Sequence, residues 1–152
     1  MQKPKDHTHD LKHAENAAFV VFSVNQQRFA LAVHCVQEIV SMPTVVPLPN
    51  ASPPIRGLFN LRGKIIPFLD PRHPPSPLPA IPHACVLVLR CAHKQAGVLV
   101  DDVESVVHLS APTFTPAPNV HNPFSTVATI AGQSNDGDWV LLDLLQPSKK
   151  DT

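Results

Sequence analysis

Arg62 is the side chain of this sequence that is best placed for specific recognition. It lies in the segment 57–70 as a cation between Gly57 and Gly63, among apolar residues that predict a strand, a tight turn and a second strand. A guanidinium group binds a carboxylate through two parallel hydrogen bonds, which a lysine cannot reproduce. Two interpretations are open: Arg62 forms a structural salt bridge with Glu38, or the turn presents it to a partner. Both can hold at once, and Glu38 can also be a plain surface acid.

Residues that could support catalysis are present in the sequence but are not grouped. Asp101 and Asp102 are adjacent, and adjacent residues on a strand point to opposite faces of the sheet. Asp102 and Glu104 can share a face, but no nucleophile or base accompanies them. The histidines at positions 34, 83, 93, 108 and 121 have no ligand spacing. We therefore expect that the protein is not an enzyme.

Metal and redox chemistry have equally little support. His7, His9 and His13 lie in a polar segment in which no cysteine or second cluster completes a metal site. The cysteines at positions 35, 85 and 91 form an odd set without metal-type spacing, and each lies in an apolar stretch, which is typical of a free buried thiol. We expect no metal and no cofactor.

Composition argues against two further classes of protein. Lys plus Arg and Asp plus Glu number 12 each, so no net charge attracts nucleic acid or an anionic membrane, and seven Phe and one Trp offer few stacking surfaces. The longest apolar runs are far shorter than the roughly 20 residues of a spanning helix. The N-terminus lacks the apolar core of a signal peptide. We expect a cytoplasmic protein with no nucleic-acid partner and no membrane insertion.

The remaining pattern predicts short strands separated by turns. Eighteen prolines disfavour long helices, and alternation over 19–24 and 28–33 predicts a first hairpin. Val33, Val36, Ile39 and Val40 recur at helical spacing and predict one or two helical turns. The segment 71–82 holds six prolines and is predicted to be an extended linker. Residues 1–17 and 148–152 are predicted to be tails, the first of them disordered.

The pattern repeats after this linker. Val103, Val106 and Val107 mirror Val36, Ile39 and Val40 at an offset of 67 residues. Each half holds roughly five short strands, and a unit of this size is marginally stable alone. We therefore predict an all-β fold of two small five-stranded barrels packed together, with short helical turns. Barrel 1 is predicted over about 18–70 and barrel 2 over about 83–147.

Three segments in order carry a family resemblance. Residues 36–39 (Val-Gln-Glu-Ile), the turn 60–63 (Asn-Leu-Arg-Gly) and residues 97–103 (Gly-Val-Leu-Val-Asp-Asp-Val) together resemble the CheW family of bacterial chemotaxis coupling proteins. The resemblance runs from about Phe19 to Leu145. It implies two SH3-like barrels with a groove between them, and a non-catalytic adaptor without a cofactor.

The resemblance also implies partners and site residues. Members of the family couple the cytoplasmic tips of methyl-accepting chemoreceptors to the regulatory domain of a CheA-type histidine kinase, which would keep this protein near the membrane in receptor arrays. The expected receptor-binding residues are seven from the three segments and one that follows the third, namely Val36, Glu38, Asn60, Leu61, Arg62, Gly97 and Val103, with Val106. No residue is assigned to kinase binding. An adaptor of pilus motility or of another chemosensory pathway, without kinase coupling, is the alternative.

Overall fold

The structure of the protein is a computed structural model that describes residues 16–72, 82–91, 94–110, 114–117, 121–134 and 138–145. The side chains of Asn16, Cys91 and Ser110 are not included. The predicted linker 71–82 and both predicted tails lie almost wholly outside these ranges, as do the three N-terminal histidines. Within them, no helix is long and apolar enough to cross a membrane.

The described residues form eleven strands and one short 3-10 helix, so the predicted all-β class is confirmed. In chain order the strands are β1 (Asn16–Val24), β2 (Gln27–Ala32), β3 (Val36–Ser41), β4 (Val46–Pro47), β5 (Ile55–Leu61), β6 (Lys64–Leu69), β7 (Cys85–Cys91), β8 (Lys94–Val100), β9 (Asp102–Ser110), β10 (Ala128–Gln133) and β11 (Val140–Leu144). The 3-10 helix, Val33–Cys35, joins β2 to β3.

The strands form two sheets. Sheet A has the order β10-β11-β2-β1-β9, and sheet B has the order β3-β7-β8-β6-β5-β4. Most neighbours are antiparallel, while β2 with β11 and β6 with β8 are parallel. The closure of each sheet into an SH3-like barrel remains a prediction.

The sheets divide the strands differently from the predicted barrels. We expected residues 18–70 to form one barrel and residues 83–147 the other, but each sheet combines strands from both halves. Hairpin β1–β2 joins the late strands β9, β10 and β11, and hairpin β7–β8 joins the early strands β3 to β6. The physical reason is that strand pairing is non-local, so similar hairpins can pair with either half.

The strand register shows that the two sheets have equivalent pairing, with bulges at corresponding positions. The ladder of β1 with β9 has a bulge that leaves Glu104 unpaired, and the ladder of β7 with β3 has a bulge that leaves Gln37 unpaired. These two residues are 67 apart, the offset read from the sequence. The β5–β6 and β10–β11 hairpins share a second bulge, just before Gly57 and Gly132. The predicted repeat is therefore present in three dimensions, with the hairpins exchanged between the halves.

Of the one or two helical turns expected in residues 33–40, the structure contains one. Val33–Cys35 forms the 3-10 helix, but Val36, Ile39 and Val40 lie on strand β3, and their counterparts lie on β9. Valine and isoleucine favour strands because their branched side chains are restricted in a helix. Because β3 can pair with β7 and β9 with β1, both segments form strands despite the helical spacing of their valines.

Two clusters of buried side chains stabilise the sheets. The large core takes residues from both sheets, including Phe19, Val20, Phe22 and Leu87, and partly buried Val36 and Val103 pack against it. The small core lies on the other side of sheet B and includes Phe59, Ile66, Phe68, Val86 and Val88. The shared large core explains why two small sheets form one stable unit.

A buried charge network closes the end of strand β6. The Asp70 carboxylate accepts hydrogen bonds from Arg72 Nε and Nη2 at 2.8 and 2.7 Å, from the Arg72 amide at 3.0 Å and from Arg56 Nη1 at 2.8 Å. The side chain of Asp70 is fully buried and that of Arg72 nearly so. Burial raises the pKa of Asp70, but the hydrogen bonds from Arg72 and Arg56 outweigh it and hold the pKa below its usual value.

Candidate functional site

The predicted tight turn is confirmed at Arg62 and Gly63. These two residues join β5 to β6 with φ angles of 51° and 86°. Positive φ at both central residues is the requirement of the two-residue turn that matches the twist of a hairpin. The Asn60 side chain stabilises the turn, because its Oδ1 accepts a hydrogen bond from the Gly63 amide at 2.9 Å.

Arg62 and Glu38 form a bidentate ion pair across sheet B. Arg62 Nη1 and Nη2 donate to the two Glu38 carboxylate oxygens at 2.6 and 2.7 Å. The hydrogen bonds from Arg62 lower the pKa of Glu38, and the same contact raises the pKa of Arg62. The Arg62 side chain is nevertheless 71% exposed. The salt bridge of the first interpretation is therefore present, and it holds the guanidinium where a partner can reach it.

Strands β3 and β9 are edge strands, one in each sheet, and they lie near each other; the surface between them is called the groove below. The Asp102 carboxylate at the start of β9 acts electrostatically on Cys85, which pairs with Ser41 at the end of β3. At the other end, the 3-10 helix before β3 contacts β1, whose Ala18 pairs with His108 of β9. The two strands therefore run in opposite directions along the two sides of a groove.

The walls of this groove are apolar. Val36 and Ile39 lie opposite the large-core residues Leu89 and Leu87, while Val103 and Val106 lie opposite the large-core residues Phe22 and Val20. Residues that pair across a ladder share a face, so all four side chains point toward the space between the sheets. Ile39 is 46% exposed and Val106 48%.

Polar contacts tie both edge strands to the hairpins behind them. Gln37 Oε1 accepts hydrogen bonds from Gln95 Nε2 at 2.8 Å and from Arg90 Nη2 at 3.2 Å. At the equivalent place in sheet A, Arg28 Nε donates to Glu104 Oε1 at 2.8 Å. Both contacts involve the bulged residue, so they hold each wall of the groove at its bulge.

The structure brings together only some of the predicted site residues. Arg62, Glu38 and Asn60 meet at the turn, and Val36, Val103 and Val106 line the groove. Leu61 is partly buried and packs against the small core. Ile39 was not among the predicted site residues, although its counterpart Val106 was; the 67-residue offset was the signal that identifies it.

Gly97 is an expected contact that the structure places inside the fold. It is buried on β8, where an added Cβ would lie 2.6 Å from Phe59 Cζ and 2.8 Å from Val86 Cγ1. A buried glycine offers no surface to a partner. The structure therefore corrects the expectation that Gly97 contacts the receptor directly. Gly97 serves instead to let the Phe59 ring lie against strand β8.

Replacing Gly97 with alanine is expected to destabilise the fold by roughly 1–3 kcal/mol, the usual cost of overpacking a core. The new methyl group meets Phe59 and Val86, which are both buried. Urea unfolding measures the loss. In a Phe59→Leu background the same substitution should cost less, because the smaller side chain leaves room; equal costs in both backgrounds would contradict the packing role.

No metal site is found among the side chains that the structure describes. Across these ranges, no group of three or more His, Cys, Asp or Glu side chains is close enough to hold an ion. Cys35 and Cys85 form no disulfide, and burial, followed by the charge of Asp102, raises the pKa of Cys85. A raised pKa disfavours the reactive thiolate form.

Comparison with known proteins agrees with this architecture. Residues 18–148 match the family model of the CheW-like domain. The chain is 27% identical to a chemotaxis protein CheW of Rhizobium meliloti over 77% of this chain and 78% of the relative. It is 30% identical to a chemotaxis protein CheW of Klebsiella aerogenes over 66% of this chain and 61% of the relative, and thus spans less than two thirds of that protein.

The fold also matches a solved structure. The scaffolding protein TtCheW from Thermoanaerobacter tengcongensis superposes with a TM-score of 0.69 at 24% identity, covering 84% of this chain and 89% of that one. This likeness concerns the fold. Taken with the family match over most of the sequence, it leads to one conclusion: the chain belongs to the CheW family of chemotaxis coupling proteins.

Proposed function

We propose that this protein couples chemoreceptor tips to a CheA-type histidine kinase, as a cytoplasmic adaptor held near the membrane by receptor arrays. The family is one of non-catalytic scaffold proteins, so the chain is not an enzyme. The observation that carries the proposal is the groove between β3 and β9, together with the exposed Arg62 that is bound to Glu38 on the opposite face of β3.

The groove suits a helix. A receptor tip is an antiparallel helical hairpin, and binding a helix in a groove relies on apolar side chains at helical spacing. Val36, Ile39, Val103 and Val106 provide apolar contacts on both walls, and Ile39 and Val106 are the most exposed of them. Glu38 pairs with small-core Val88, so Arg62, bound to Glu38, lies on the opposite face of edge strand β3 from Val36 and Ile39. There it can meet an acidic residue of a partner that reaches over this edge of the sheet.

A second apolar surface favours a two-partner adaptor over a module with one partner. Val46, Leu58, Pro67 and Ile65 share a face of strands β4 to β6, on the side opposite the small core. Val46 is 60% exposed and Ile65 63%. We assign this apolar stripe to the kinase regulatory domain, since it is separate from the groove and large exposed side chains of this kind mark interaction sites.

Binding experiments with two surface variants test the proposal. Purified protein is mixed with the histidine kinase and with a receptor-tip fragment encoded in the same genome. Ile39→Asp with Val106→Asp is expected to abolish receptor capture and keep kinase capture. Val46→Asp with Ile65→Asp is expected to do the reverse. Each variant is the folding control for the other, because each retains one partner.

The outcomes separate the possible roles. Receptor capture without kinase capture by the unmodified protein favours an adaptor of pilus motility or another pathway that lacks kinase coupling. Capture of neither partner contradicts the proposed function. Loss of both partners in one variant indicates misfolding, which circular dichroism and urea unfolding detect.

A further inference from the structure

The chain passes between the two sheets twice, and the two crossings are built differently. The first is the 3-10 helix Val33–Cys35, which leads from β2 into β3. The second is the single residue Asp101, which leads from β8 into β9. His34, the middle of the first crossing, and Asp101 are 67 positions apart, the offset of the repeat. Each edge strand of the groove therefore begins directly after a crossing.

The first crossing is held by its own backbone. The amide of Val36 donates to the carbonyl of Val33, which closes the turn of the 3-10 helix. A single residue cannot form such a turn, so the second crossing depends on contacts with other parts of the chain. The contacts that fix Asp101 also fix the start of β9, and with it the position of Val103 two residues later.

Asp101 is fixed by two hydrogen bonds to the end of the first hairpin. Its amide donates to the Ser23 carbonyl at 2.9 Å, and its Oδ2 accepts a hydrogen bond from the Asn25 amide at 2.8 Å. The first bond uses the backbone and can be made by any residue except proline. The second needs a side-chain acceptor, and the carboxylate makes it a charge-assisted bond. The side chain of Asp101 therefore ties the crossing to the turn that joins β1 to β2.

The β1–β2 turn needs such an external contact. Asn25 and Gln26 have φ angles of 50° and 70°, in the left-handed region that glycine adopts freely and asparagine more readily than most residues. Glutamine has no such preference, so the turn is weaker by itself than one with glycine at position 26. The Asp101 carboxylate offsets this weakness, because it binds the Asn25 amide in this conformation.

Asp101 also lies beside the buried charges of sheet B. Its Oδ1 is buried and accepts no hydrogen bond from the part of the chain that the structure describes. The pKa of Arg72 is raised by its hydrogen bonds to Asp70 and, more weakly, by the charges of Asp70 and Asp101. Arg72 follows β6, and its side chain is almost fully buried. The carboxylate of Asp101 therefore interacts with sheet A through a hydrogen bond and with the end of sheet B through its charge.

We propose that Asp101 is a positioning residue for receptor binding. By holding the β1–β2 turn it fixes the start of β9, and so the place of Val103 and Val106 on the wall of the groove. The inference rests on the proposed function of the groove. The neighbouring acid Asp102 acts on Cys85 of sheet B instead, so it serves as the matched control.

Hydrogen exchange measured by NMR tests the hold on β9 directly. In Asp101→Ala the protected amides of β9 are expected to exchange roughly 10- to 100-fold faster, which corresponds to one lost hydrogen bond to a charged group. The amides of β7 and β8 should keep their protection. Asp102→Asn should leave both sets unchanged. Gln26→Gly in the Asp101→Ala background should restore the protection of β9, because glycine adopts positive φ without strain.

Binding titrations connect the position of β9 to the receptor. Asp101→Ala is expected to weaken binding of the receptor-tip fragment by roughly 10-fold, the lower end of the same range, and to keep kinase capture. Asp102→Asn should keep both partners, and Gln26→Gly should restore receptor affinity in the Asp101→Ala background. Asp101→Asn retains an oxygen for the Asn25 amide, so it should lose less, and it takes the place of Asp101→Ala if that variant does not fold.

Several outcomes contradict the inference. Unchanged exchange of β9 or unchanged receptor affinity in Asp101→Ala overturns it, and so does an equal loss of receptor and kinase binding, which indicates a general loss of stability. Failure of Gln26→Gly to rescue either readout shows that Asp101 does not act through the turn. Absence of receptor binding by the unmodified protein overturns the proposed function and the receptor role of Asp101 with it, whereas exchange by itself decides whether Asp101 holds β9.

Discussion

Arg62→Ala is expected to weaken binding of a receptor-tip fragment by roughly 10- to 100-fold, the range for a lost hydrogen bond to a charged group. The variant removes the exposed guanidinium and leaves the Glu38 carboxylate without the bidentate partner seen in the structure. Unpaired, that carboxylate also repels acidic residues of the receptor. Isothermal titration calorimetry with the purified fragment measures the change.

The matched variants separate a partner contact from a structural one. Glu38→Gln removes the internal ion pair but keeps the cation, so binding should weaken less than in Arg62→Ala. Lys64→Ala removes a neighbouring exposed charge and should leave the affinity nearly unchanged. If Glu38→Gln and Arg62→Ala weaken binding equally and the double variant is no worse, then Arg62 acts only by holding the turn.

Asp70→Asn is expected to lower the free energy of unfolding by about 3–5 kcal/mol, the cost of leaving a buried charge without its partner. The substitution keeps the shape of the side chain but removes the charge that compensates buried Arg72. Urea unfolding followed by tryptophan fluorescence measures the loss, since Trp139 is buried in the large core. Asp138→Asn is the control, because its ion pair is exposed and worth less than about 1 kcal/mol.

The same network predicts a pH dependence. The pKa of Asp70 is lower in the folded chain than in the unfolded one, so the carboxylate contributes stability above the unfolded pKa, about 4. That contribution is lost as the pH falls toward the folded pKa. The unmodified protein should therefore lose more stability below pH 4 than Asp70→Asn does. Parallel pH profiles would mean that Asp70 is not the titrating group.

Local features of the chain were predictable from sequence because they depend on neighbouring residues. The pair Arg62-Gly63 forms its turn through backbone preferences and one Asn60 side chain, all within four residues. The alternation in β1 and β2 likewise gave the right hairpin. In residues 36–40 the preference for a helix competed with the preference for a strand. The helical prediction was wrong there, because β7, which is distant in the sequence, pairs with these residues.

The candidate site was only partly predictable. Glu38 and Arg62 are 24 positions apart, and the sequence could name the pair but not its bidentate geometry or its exposure. Gly97 was predicted to be a contact because its neighbours in the sequence do not indicate whether it is buried. Only the Phe59 ring that packs against it in the folded chain shows that the glycine is buried. Ile39 was readable from the repeat, yet its place on a groove wall follows from the ladder with β7.

The sequence by itself determined the all-β class, the tight turn at Arg62, the 67-residue repeat and the family. These follow from short-range preferences and from motifs whose residues are close together in the chain. Only the tertiary structure decided which hairpin joined which half, and with it the groove between β3 and β9. Two similar hairpins have similar local energies in either sheet, so the choice between them depends on contacts that form only when the whole chain has folded.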